Sequence, residues 1–244
     1  MKTKEWFASW FDTSYYHSLY KNRDEVEAKK FIHNLANKLN LTSNTEVLDL
    51  ACGKGRHSIT LNELGMNVTG VDLSANSIEI AKKFENENLK FAVQDMRFPF
   101  ENQKFEFVFN LFTSFGYFDS VEDNLKVIES VKQMLQPNGV FVIDFMNSER
   151  VINTLVLNEI KTEDSIDFHI EREYDGQHIF KHIKFTDQDE SFHFTERVQA
   201  LKQKDFEELL TKVGFTITNL YGNFNLDPFN FEDSDRLIII AKLK

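Results

Sequence analysis

Four short apolar runs of the sequence end in or beside a polar residue, and these residues are the first candidates for chemistry. They are Asp49, Asp72, Asp95 and Asn110. A carboxylate at the end of a strand can accept hydrogen bonds from both hydroxyls of a ribose. The set therefore suits a ligand that carries a ribose and amino groups, and it disfavours a bare phosphate.

Two glycines follow the first of these runs, in the segment Ala51-Cys52-Gly53-Lys54-Gly55. Glycine lets the backbone approach a ligand closely, and the N-terminus of the next helix is expected behind the loop. By itself a Gly-x-Gly segment is more often a tight turn, and an acidic residue at a strand end is more often a helix cap. Their ordered occurrence at successive strand ends favours a nucleotide site.

Parallel strands must place these residues, because the carboxyl ends of parallel strands meet at one edge of a sheet. From Asp24 to Asn147, predicted helices (24–39, 56–65, 74–84 and 121–135) alternate with short apolar strands. Such alternation predicts an α/β fold with a doubly wound, mostly parallel sheet and helices on both faces. Two further strands, over 215–221 and 236–243, bring the predicted sheet to seven strands.

The pattern changes after Asn147. From residue 165 to 174 apolar and polar residues alternate, which is the period of a half-buried strand, and Asp175-Gly176 is a hairpin signal. Two more alternating runs follow, and a helix is predicted over 204–213. We predict three units: an N-terminal helical lid over 1–40, a nucleotide-binding domain over 41–147 and 201–244, and a small antiparallel β insertion over 148–200.

Composition narrows the range of partners. The chain has 244 residues, with 28 Lys and Arg against 39 Asp and Glu, and a formal net charge of −11. Because nucleic-acid affinity comes largely from Lys and Arg displacing counterions, this charge disfavours a nucleic-acid partner. The single cysteine, Cys52, excludes an intramolecular disulfide framework and a multi-cysteine zinc site.

Hydropathy and aromatic content add two expectations. No apolar run approaches the roughly 18 residues of a membrane span, and the N-terminal segment is too broken by polar residues for a secretory signal. We therefore expect a cytoplasmic protein with no membrane partner. The 25 phenylalanines, with the dense aromatics of residues 4–20, are interpreted as core and as walls of a pocket for an apolar or mixed small molecule.

These segments resemble the motifs of class I S-adenosylmethionine-dependent methyltransferases. The similarity runs through VLDLACGKG, VTGVDLS, AVQDM, FEFVFNLFTSFGYF and LQPNGVFVIDF. It is close over residues 12–147, and it implies a Rossmann-like methyltransferase fold. The most similar branch acts on small molecules and includes aminosugar N-methyltransferases, which have an aromatic N-terminal segment like YYHSLYKNRDEVEA. The Asn/Asp-Pro-Pro-aromatic motif of enzymes that methylate base amino groups is absent.

The resemblance implies S-adenosylmethionine as the cofactor and assigns the adenosine part to two strand ends. Asp72 would bind the ribose hydroxyls, with Leu73 beside the adenine ring. Asp95 would accept a hydrogen bond from the adenine amino group, and the Met96 backbone N–H would meet a ring nitrogen. Asp49 would lie at the same cofactor edge.

The same resemblance assigns the methionine part of the cofactor to the glycine loop and to the fourth strand. Ala51, Gly53 and Gly55 would bring backbone against it, although many members have glycine where this chain has Ala51. The carbonyl of Asn110 or Leu111 would take the ammonium group.

The methionine carboxylate needs a cation or a hydroxyl donor. Tyr16 and Arg23 match the family's N-terminal pattern, with Arg56 and His57 as competitors. Phe112 completes the predicted cofactor set.

Catalysis of methyl transfer needs close approach and exclusion of water, and it needs a base only when the acceptor carries a proton. Tyr117, just beyond the fourth strand, is the first candidate for a catalytic group that faces the acceptor, and His17 is the second. A lid tyrosine with its hydroxyl in water is the alternative for Tyr117.

Three histidines of the predicted insertion, His169, His182 and His193, fall on the polar phase of neighbouring strands. Three imidazoles in that arrangement could bind zinc, but a solvated face with ordinary histidines is the preferred interpretation. We therefore predict no metal site.

Two other functions remain open at this point. A nicotinamide-dependent dehydrogenase would share Gly53, Gly55 and Asp72, but Ser58 stands at the third glycine of its fingerprint and Asp95 has no role in it. A non-catalytic cofactor-binding module that regulates a partner would need the same strand ends. The aromatic face of the insertion would either cover the active site or pair with another subunit in a homodimer.

Overall fold

The computed structural model describes residues 6–21, 25–100 and 103–243. The helices are α1 (Trp6–Trp10), α2 (Ser14–Leu19), α3 (Glu25–Leu39), α4 (Arg56–Glu63), α5 (Ala75–Ala81), α6 (Val121–Met134), α7 (Ser148–Asn153) and α8 (Gln203–Val213). The strands are β1 (Glu46–Leu50), β2 (Asn67–Asp72), β3 (Leu89–Val93), β4 (Phe105–Asn110), β5 (Leu135–Met146), β6 (Asn158–Glu163), β7 (Ile166–Tyr174), β8 (His178–Asp187), β9 (Glu190–Gln199), β10 (Phe215–Tyr221) and β11 (Arg236–Leu243). Among the described helices, none is long and apolar enough to cross a membrane.

The main sheet has seven strands in the order β10-β11-β5-β4-β1-β2-β3. The first five strands of the chain pair in parallel, whereas β11 is antiparallel to both β5 and β10. This confirms the mostly parallel, doubly wound, seven-stranded sheet predicted from the alternation of elements. The strand order reverses at β1 and β4, so the crevice that binds ligands in such sheets is expected beyond the carboxyl ends of these strands.

Both faces of the main sheet are buried, which is why its strands are nearly continuous in apolar residues. Along β11, Ile239 packs into one core while Ile238 and Ile240 pack into the other. Helices α6 and α8 cover the first face through Val127 and Phe206, and α3 and α4 cover the second. Most of the fully buried large side chains are phenylalanines of these cores, so the aromatic content serves the core more than the pocket.

A second, four-stranded antiparallel sheet has the order β6-β7-β8-β9. The three alternating runs predicted from the sequence form β7, β8 and β9. Strand β6 and helix α7 were not predicted from the sequence. Strand β6 lies at the edge of the sheet and only Glu163 in it is buried, so its sequence lacks the apolar alternation that marks the other three strands.

The lid helices α1 and α2 pack on one face of this second sheet. Trp10 and Leu19 are buried in one cluster with Phe168, Ile183 and Phe185. The N-terminal lid and the insertion, which were predicted as separate units, therefore share a core. The lid lies over the region beyond the ends of β1 to β4, where the cavity described below lies, and the insertion packs against the lid.

Candidate functional site

A cavity of about 430 Å³ lies beyond the carboxyl ends of β1, β2, β3 and β4. Residues at or just after these strand ends form one side, which we call the strand-end wall: Ala51–Lys54, Arg56, His57, Asp72–Ser74, Ser77, Gln94–Met96, Leu111, Phe112 and Ser114. The other side, the lid wall, comprises Phe7, Phe11, Tyr16, His17, Tyr20, Lys21, Tyr117 and Phe118. One side is thus rich in polar and backbone groups, and the other is mostly aromatic.

The turn between β1 and α4 supplies backbone to the strand-end wall. Ala51, Gly53 and Gly55 have φ values of 63°, 57° and 82°, in the left-handed region that glycine adopts most easily. A side chain added at Gly53 would meet no atom within 4 Å, so this backbone faces open space in the cavity. A side chain at Gly55 would meet the Phe91 ring at 2.6 Å, so Gly55 is required for packing behind the wall.

Asp72, at the end of β2, ties two loops of this wall together. Its carboxylate accepts hydrogen bonds from the backbone N–H of Gly53 and of Ser74, both at 2.8 Å. Burial raises the pKa of Asp72, and these backbone hydrogen bonds oppose the rise. The side chain therefore lines the cavity as an acceptor whose orientation is fixed by the protein.

Asp95, after β3, is held in a different way. Arg97 donates to both of its carboxylate oxygens through Nε at 3.1 Å, and through Nη2 to Oδ2 at 2.6 Å. The Arg97 guanidinium also lies 4.7 Å from the centre of the Phe118 ring in the lid wall. The charge of Asp95 is thus already balanced by the Arg97 guanidinium, whereas Asp72 is held by backbone amides.

Asp49 and Asn110 lie behind the wall and do not line the cavity. Asp49 is 1% exposed and accepts a hydrogen bond of 2.6 Å from the Ser58 hydroxyl. Burial raises the pKa of Asp49 to about 6, and the nearby carboxylate of Asp72 adds to the rise. Asn110 is fully buried and donates to the Leu50 carbonyl at 3.0 Å. Both residues therefore support the turns that carry the wall.

The lid wall is a set of rings in mutual contact. The Tyr117 ring lies 5.3 Å from Phe11 and 6.4 Å from Phe7, centre to centre. Tyr16 lies 4.8 Å from Phe11 and 4.9 Å from Tyr20. Residues from the N-terminal lid and from the segment after β4 thus form one continuous aromatic surface, and its shape depends on how the lid is held.

Hydrogen bonds to the insertion hold the lid. Glu196 of β9 accepts from Trp10 Nε1 at 2.7 Å and from the Tyr20 hydroxyl at 2.8 Å. The Tyr15 hydroxyl donates to Asp187 at 3.0 Å. Glu196 was not predicted from the sequence, although a signal was present. It is a charged residue on the same face of β9 as Phe192 and Phe194.

The three histidines of the insertion do not converge. His169 of β7 and His193 of β9 are both paired with Lys184 of the intervening strand β8, so a cation lies between them. His182 instead contacts Thr195 at 3.0 Å and Glu173 at 3.2 Å. Within the part of the chain that the structure describes, no three potential ligands are grouped for a metal ion.

Most of the residues predicted from the sequence line one cavity. The predicted site residues that line it are Tyr16, His17, Ala51, Gly53, Arg56, His57, Asp72, Leu73, Asp95, Met96, Leu111, Phe112 and Tyr117. Asp49, Gly55 and Asn110 lie behind the wall, and Arg23 lies outside the described residues. Phe7 and Tyr20, which were predicted as pocket walls within the aromatic segment 4–20, also line the cavity, and the structure adds Lys21.

Comparison with known proteins gives a consistent result. A model of the methyltransferase domain family matches residues 41–214. The glycine/sarcosine N-methyltransferase of Aphanothece halophytica is 30% identical over 211 residues, which cover 80% of this chain and 75% of that protein.

Solved structures share the fold. An S-adenosylmethionine-dependent methyltransferase from Clostridium acetobutylicum ATCC 824 superposes with a TM-score of 0.79 at 23% identity, covering 94% of this chain and 96% of that one. S-adenosylmethionine-bound CalS10, an amino pentose methyltransferase from Micromonospora echinaspora, superposes with a TM-score of 0.72 at 17% identity, covering 95% and 98%. In both cases the similarity extends over nearly the whole of each chain.

Proposed function

Because the chain belongs to the methyltransferase domain family, we propose that it transfers the methyl group of S-adenosylmethionine to a nitrogen or oxygen atom of a small molecule. The observation that carries the proposal is the cavity with two unlike walls, one polar and set by the main sheet, the other aromatic and set by the lid. Family membership decides against the dehydrogenase and the regulatory module, which the sequence alone left open.

The strand-end wall fits the adenosine part of the cofactor. In our proposal Asp72 accepts hydrogen bonds from the ribose hydroxyls, for which its orientation by two backbone amides prepares it. Leu73 lies beside the adenine ring, and Asp95 with the Met96 N–H binds the edge of the adenine. The open space at Gly53 leaves room for the cofactor against the backbone.

The methionine part is assigned to the turn after β4 and to the start of α4. In the proposal the Leu111 carbonyl accepts from the ammonium group, and the Arg56 guanidinium pairs with the carboxylate, assisted by His57 or Tyr16. All four residues line the cavity. A guanidinium matches a carboxylate in both charge and shape, which is why Arg56 is preferred.

The lid wall is assigned to the acceptor. The cofactor supplies an electrophilic methyl group, so the protein has to orient the acceptor in line with it and exclude water. Rings of Phe7, Phe11 and Tyr117 provide an apolar surface for this, and in the proposal the Tyr117 hydroxyl orients the attacking atom. His17, also in this wall, is the candidate to take a proton when the acceptor carries one.

A small acceptor is favoured over a polymer by the size of the site and by the charge of the chain. A cavity of about 430 Å³ falls within the usual range for small-molecule pockets. The net charge of −11 also opposes a nucleic-acid substrate. The similarity to a glycine/sarcosine N-methyltransferase and to an amino pentose methyltransferase makes amines the first class to test.

The test is a methyl-transfer screen with the full chain. S-adenosylmethionine is incubated with amines, phenols, carboxylates and sugars and, in separate reactions, with RNA, DNA and protein. S-adenosylhomocysteine formation and acceptor methylation are followed by mass spectrometry. We expect acceptor-dependent formation of S-adenosylhomocysteine with at least one amine or hydroxyl class. Transfer to RNA, DNA or protein, with none to any small molecule, would contradict the proposed acceptor class.

A further inference from the structure

The turn that follows β4 has an unusual backbone. Phe112 and Thr113, neither of them glycine, both have φ values of 58°. This left-handed region brings Cβ close to the backbone, and a β-branched residue such as threonine is rarely found there. Such a conformation persists only where the surrounding contacts hold it, and it is most often found at functional sites.

Two charged residues from neighbouring strands supply the contacts. Asp144 of β5 accepts from the Phe112 N–H through Oδ2 at 2.8 Å, and its backbone carbonyl accepts from the Thr113 N–H at 2.9 Å. Arg236 of β11 donates through Nη2 to the Thr113 hydroxyl at 3.0 Å, and through Nε to Asp144 Oδ1 at 2.8 Å. The ion pair of Asp144 and Arg236 therefore holds the strained turn in place.

This ion pair lies outside the cavity. Asp144 is fully buried and the Arg236 side chain is 18% exposed, and neither residue lines the cavity. A buried ion pair is weak evidence for a contribution to stability, because desolvation of both charges opposes their attraction. The hydrogen bonds to a strained turn at the cavity edge point to another role.

The turn sets the position of two groups that belong to residues lining the cavity. One is the carbonyl of Leu111, the residue that precedes Phe112 and also accepts a hydrogen bond from the Ser114 hydroxyl at 2.8 Å. The other is the Arg56 guanidinium, which lies 4.1 Å from the centre of the Phe112 ring. A displaced turn would move the carbonyl and remove the surface on which the guanidinium rests.

The Phe112 ring also packs against side chains from other parts of the chain. Its ring stacks on Phe224 at 5.3 Å, and the Arg236 guanidinium lies 6.0 Å from its centre. Arg236 therefore reaches the turn twice, once through the Thr113 hydroxyl and once through the ring. Through Phe224, the loop after β10 also contacts this turn.

We propose that Asp144 and Arg236 are positioning residues for the amino-acid end of the cofactor, acting through the turn Leu111–Thr113 on the Leu111 carbonyl and on Arg56. The inference rests on the proposed function, in which these two groups bind the ammonium and the carboxylate. It assigns no contact with the cofactor to Asp144 or Arg236 themselves. Loss of the pair is therefore expected to weaken binding of the methionine part and to spare the adenosine part.

Two ligands separate these parts. S-adenosylhomocysteine carries the amino-acid end, whereas 5′-methylthioadenosine has the same adenosine and thioether without it. Calorimetry with the full chain would compare both ligands on Thr113→Val, which loses the hydroxyl that Arg236 binds, and on Arg236→Lys, which keeps the charge but lacks the planar fork. Thr113→Ser keeps the hydroxyl and is the matched control.

We expect S-adenosylhomocysteine to bind about three- to tenfold more weakly to Thr113→Val and Arg236→Lys, the range of one hydrogen bond. Binding of 5′-methylthioadenosine, and binding of both ligands to Thr113→Ser, should match the wild type. Combining Arg236→Lys with Arg56→Met should cost less affinity than the product of the two single losses, because both act on one contact.

Three results would overturn the inference: equal weakening for both ligands, no weakening for either, or fully multiplicative losses in the double variant. Equal weakening together with a lower melting temperature would assign the pair a purely structural role. These results all presuppose that the wild-type chain binds S-adenosylhomocysteine. Failure of the wild type to bind it would instead overturn the proposed function, so the two failures are distinguishable.

Discussion

The two walls of the cavity are held in place by different means. The strand-end wall is fixed by the main sheet: the Asp72 carboxylate accepts hydrogen bonds from the backbone of Gly53 and Ser74, three and two residues after the ends of β1 and β2. The lid wall is fixed by side chains, through ring contacts and through Glu196 of the insertion, which binds Trp10 and Tyr20. Backbone geometry sets one wall, and packing between distant segments sets the other.

This difference separates the binding of the cofactor from the binding of the acceptor. Trp10 and Leu19 of the lid pack with the insertion in a cluster of their own, so substitutions there can change the aromatic wall without moving a strand of the main sheet. Phe7 and Phe118 of the same wall pack instead in the core of the main sheet. The same architecture can thus keep one cofactor site while the acceptor site changes. Variants in the strand-end wall should therefore affect cofactor binding, and variants in the lid wall, with Tyr16 as the exception, should affect acceptor turnover.

The largest effect is expected at Asp72. In Asp72→Asn the charge is lost and only one oxygen remains for the two backbone amides and the ribose. Since a hydrogen bond to a charged group contributes about 1.5–3 kcal/mol, we expect binding of S-adenosylhomocysteine to weaken by roughly a hundredfold. Calorimetry checks this. Asp95→Asn is the comparison, with a smaller loss expected because Arg97 already neutralises Asp95; equal losses would contradict the difference drawn between these carboxylates.

A pH-dependent effect on stability is expected at Asp49, behind the same wall. Burial raises its pKa to about 6 in the folded protein, above the ordinary value of 3.8. As the pH falls, the folded state therefore takes up a proton at Asp49 before the unfolded state does. Protonation of Asp49 thus stabilises the folded state below about pH 4, and this stabilisation is lost as the pH rises through 6.

Asp49→Asn is expected to remove this dependence. Each pKa unit corresponds to about 1.4 kcal/mol, so the variant should be more stable than the wild type by up to about 3 kcal/mol above pH 7. The advantage should be mostly lost near pH 4, where Asp49 is neutral in the folded state and is becoming protonated in the unfolded state. Urea unfolding of both proteins from pH 4 to 8 measures the difference, and a constant difference across that range would show that Asp49 does not titrate as described.

The two walls also differ in how far the sequence predicts them. The strand-end wall follows from short-range patterns: apolar runs, the glycine turn after β1, and polar residues such as Asp72 and Asp95 at strand ends. Its finer supports were not predicted, because Asp144 and Arg236 are distant in sequence and meet only through the pairing of β5 with β11. Likewise the placement of Asp49 behind the wall depends on a contact with Ser58 that no periodicity encodes.

For the lid wall, the sequence predicts the type of residue but not the surface on which these residues pack. The aromatic residues near the N-terminus require a surface to pack on, but nothing in their spacing identifies the insertion as that surface. Edge strand β6 was missed for a related reason, because an exposed strand has no apolar alternation. The charged residue Glu196 on an otherwise apolar phase was the one local signal of a buried polar contact.

Glu196 tests whether the insertion holds the lid. Glu196→Ala leaves the Trp10 and Tyr20 donors without their acceptor, and we expect a loss of about 2 kcal/mol in the free energy of unfolding. Faster proteolysis of the N-terminal lid and a higher KM for the acceptor should accompany it, with S-adenosylhomocysteine affinity unchanged. Glu173→Ala, on the opposite face of the same sheet, is the control. Its free energy of unfolding is expected to differ from that of the wild type by no more than about 0.5 kcal/mol.

The smallest change, one hydroxyl, addresses the chemistry of the lid wall. Tyr117→Phe keeps the ring that packs against Phe7 and Phe11 and removes only the group proposed to orient the acceptor. With an acceptor from the methyl-transfer screen, kcat should fall about tenfold, the effect of one hydrogen bond made more strongly in the transition state than in the bound substrate.

Cofactor affinity distinguishes the possible roles of this tyrosine. S-adenosylhomocysteine should bind Tyr117→Phe as it binds the wild type, because the hydroxyl is assigned to the lid wall and not to the strand-end wall. Tyr174→Phe removes a hydroxyl that donates to the Gly176 carbonyl in the hairpin between β7 and β8, and it should leave both kcat and affinity unchanged. An unchanged kcat in Tyr117→Phe would leave the ring a packing role only. Weakened cofactor binding would mean that the two walls are not separate in function.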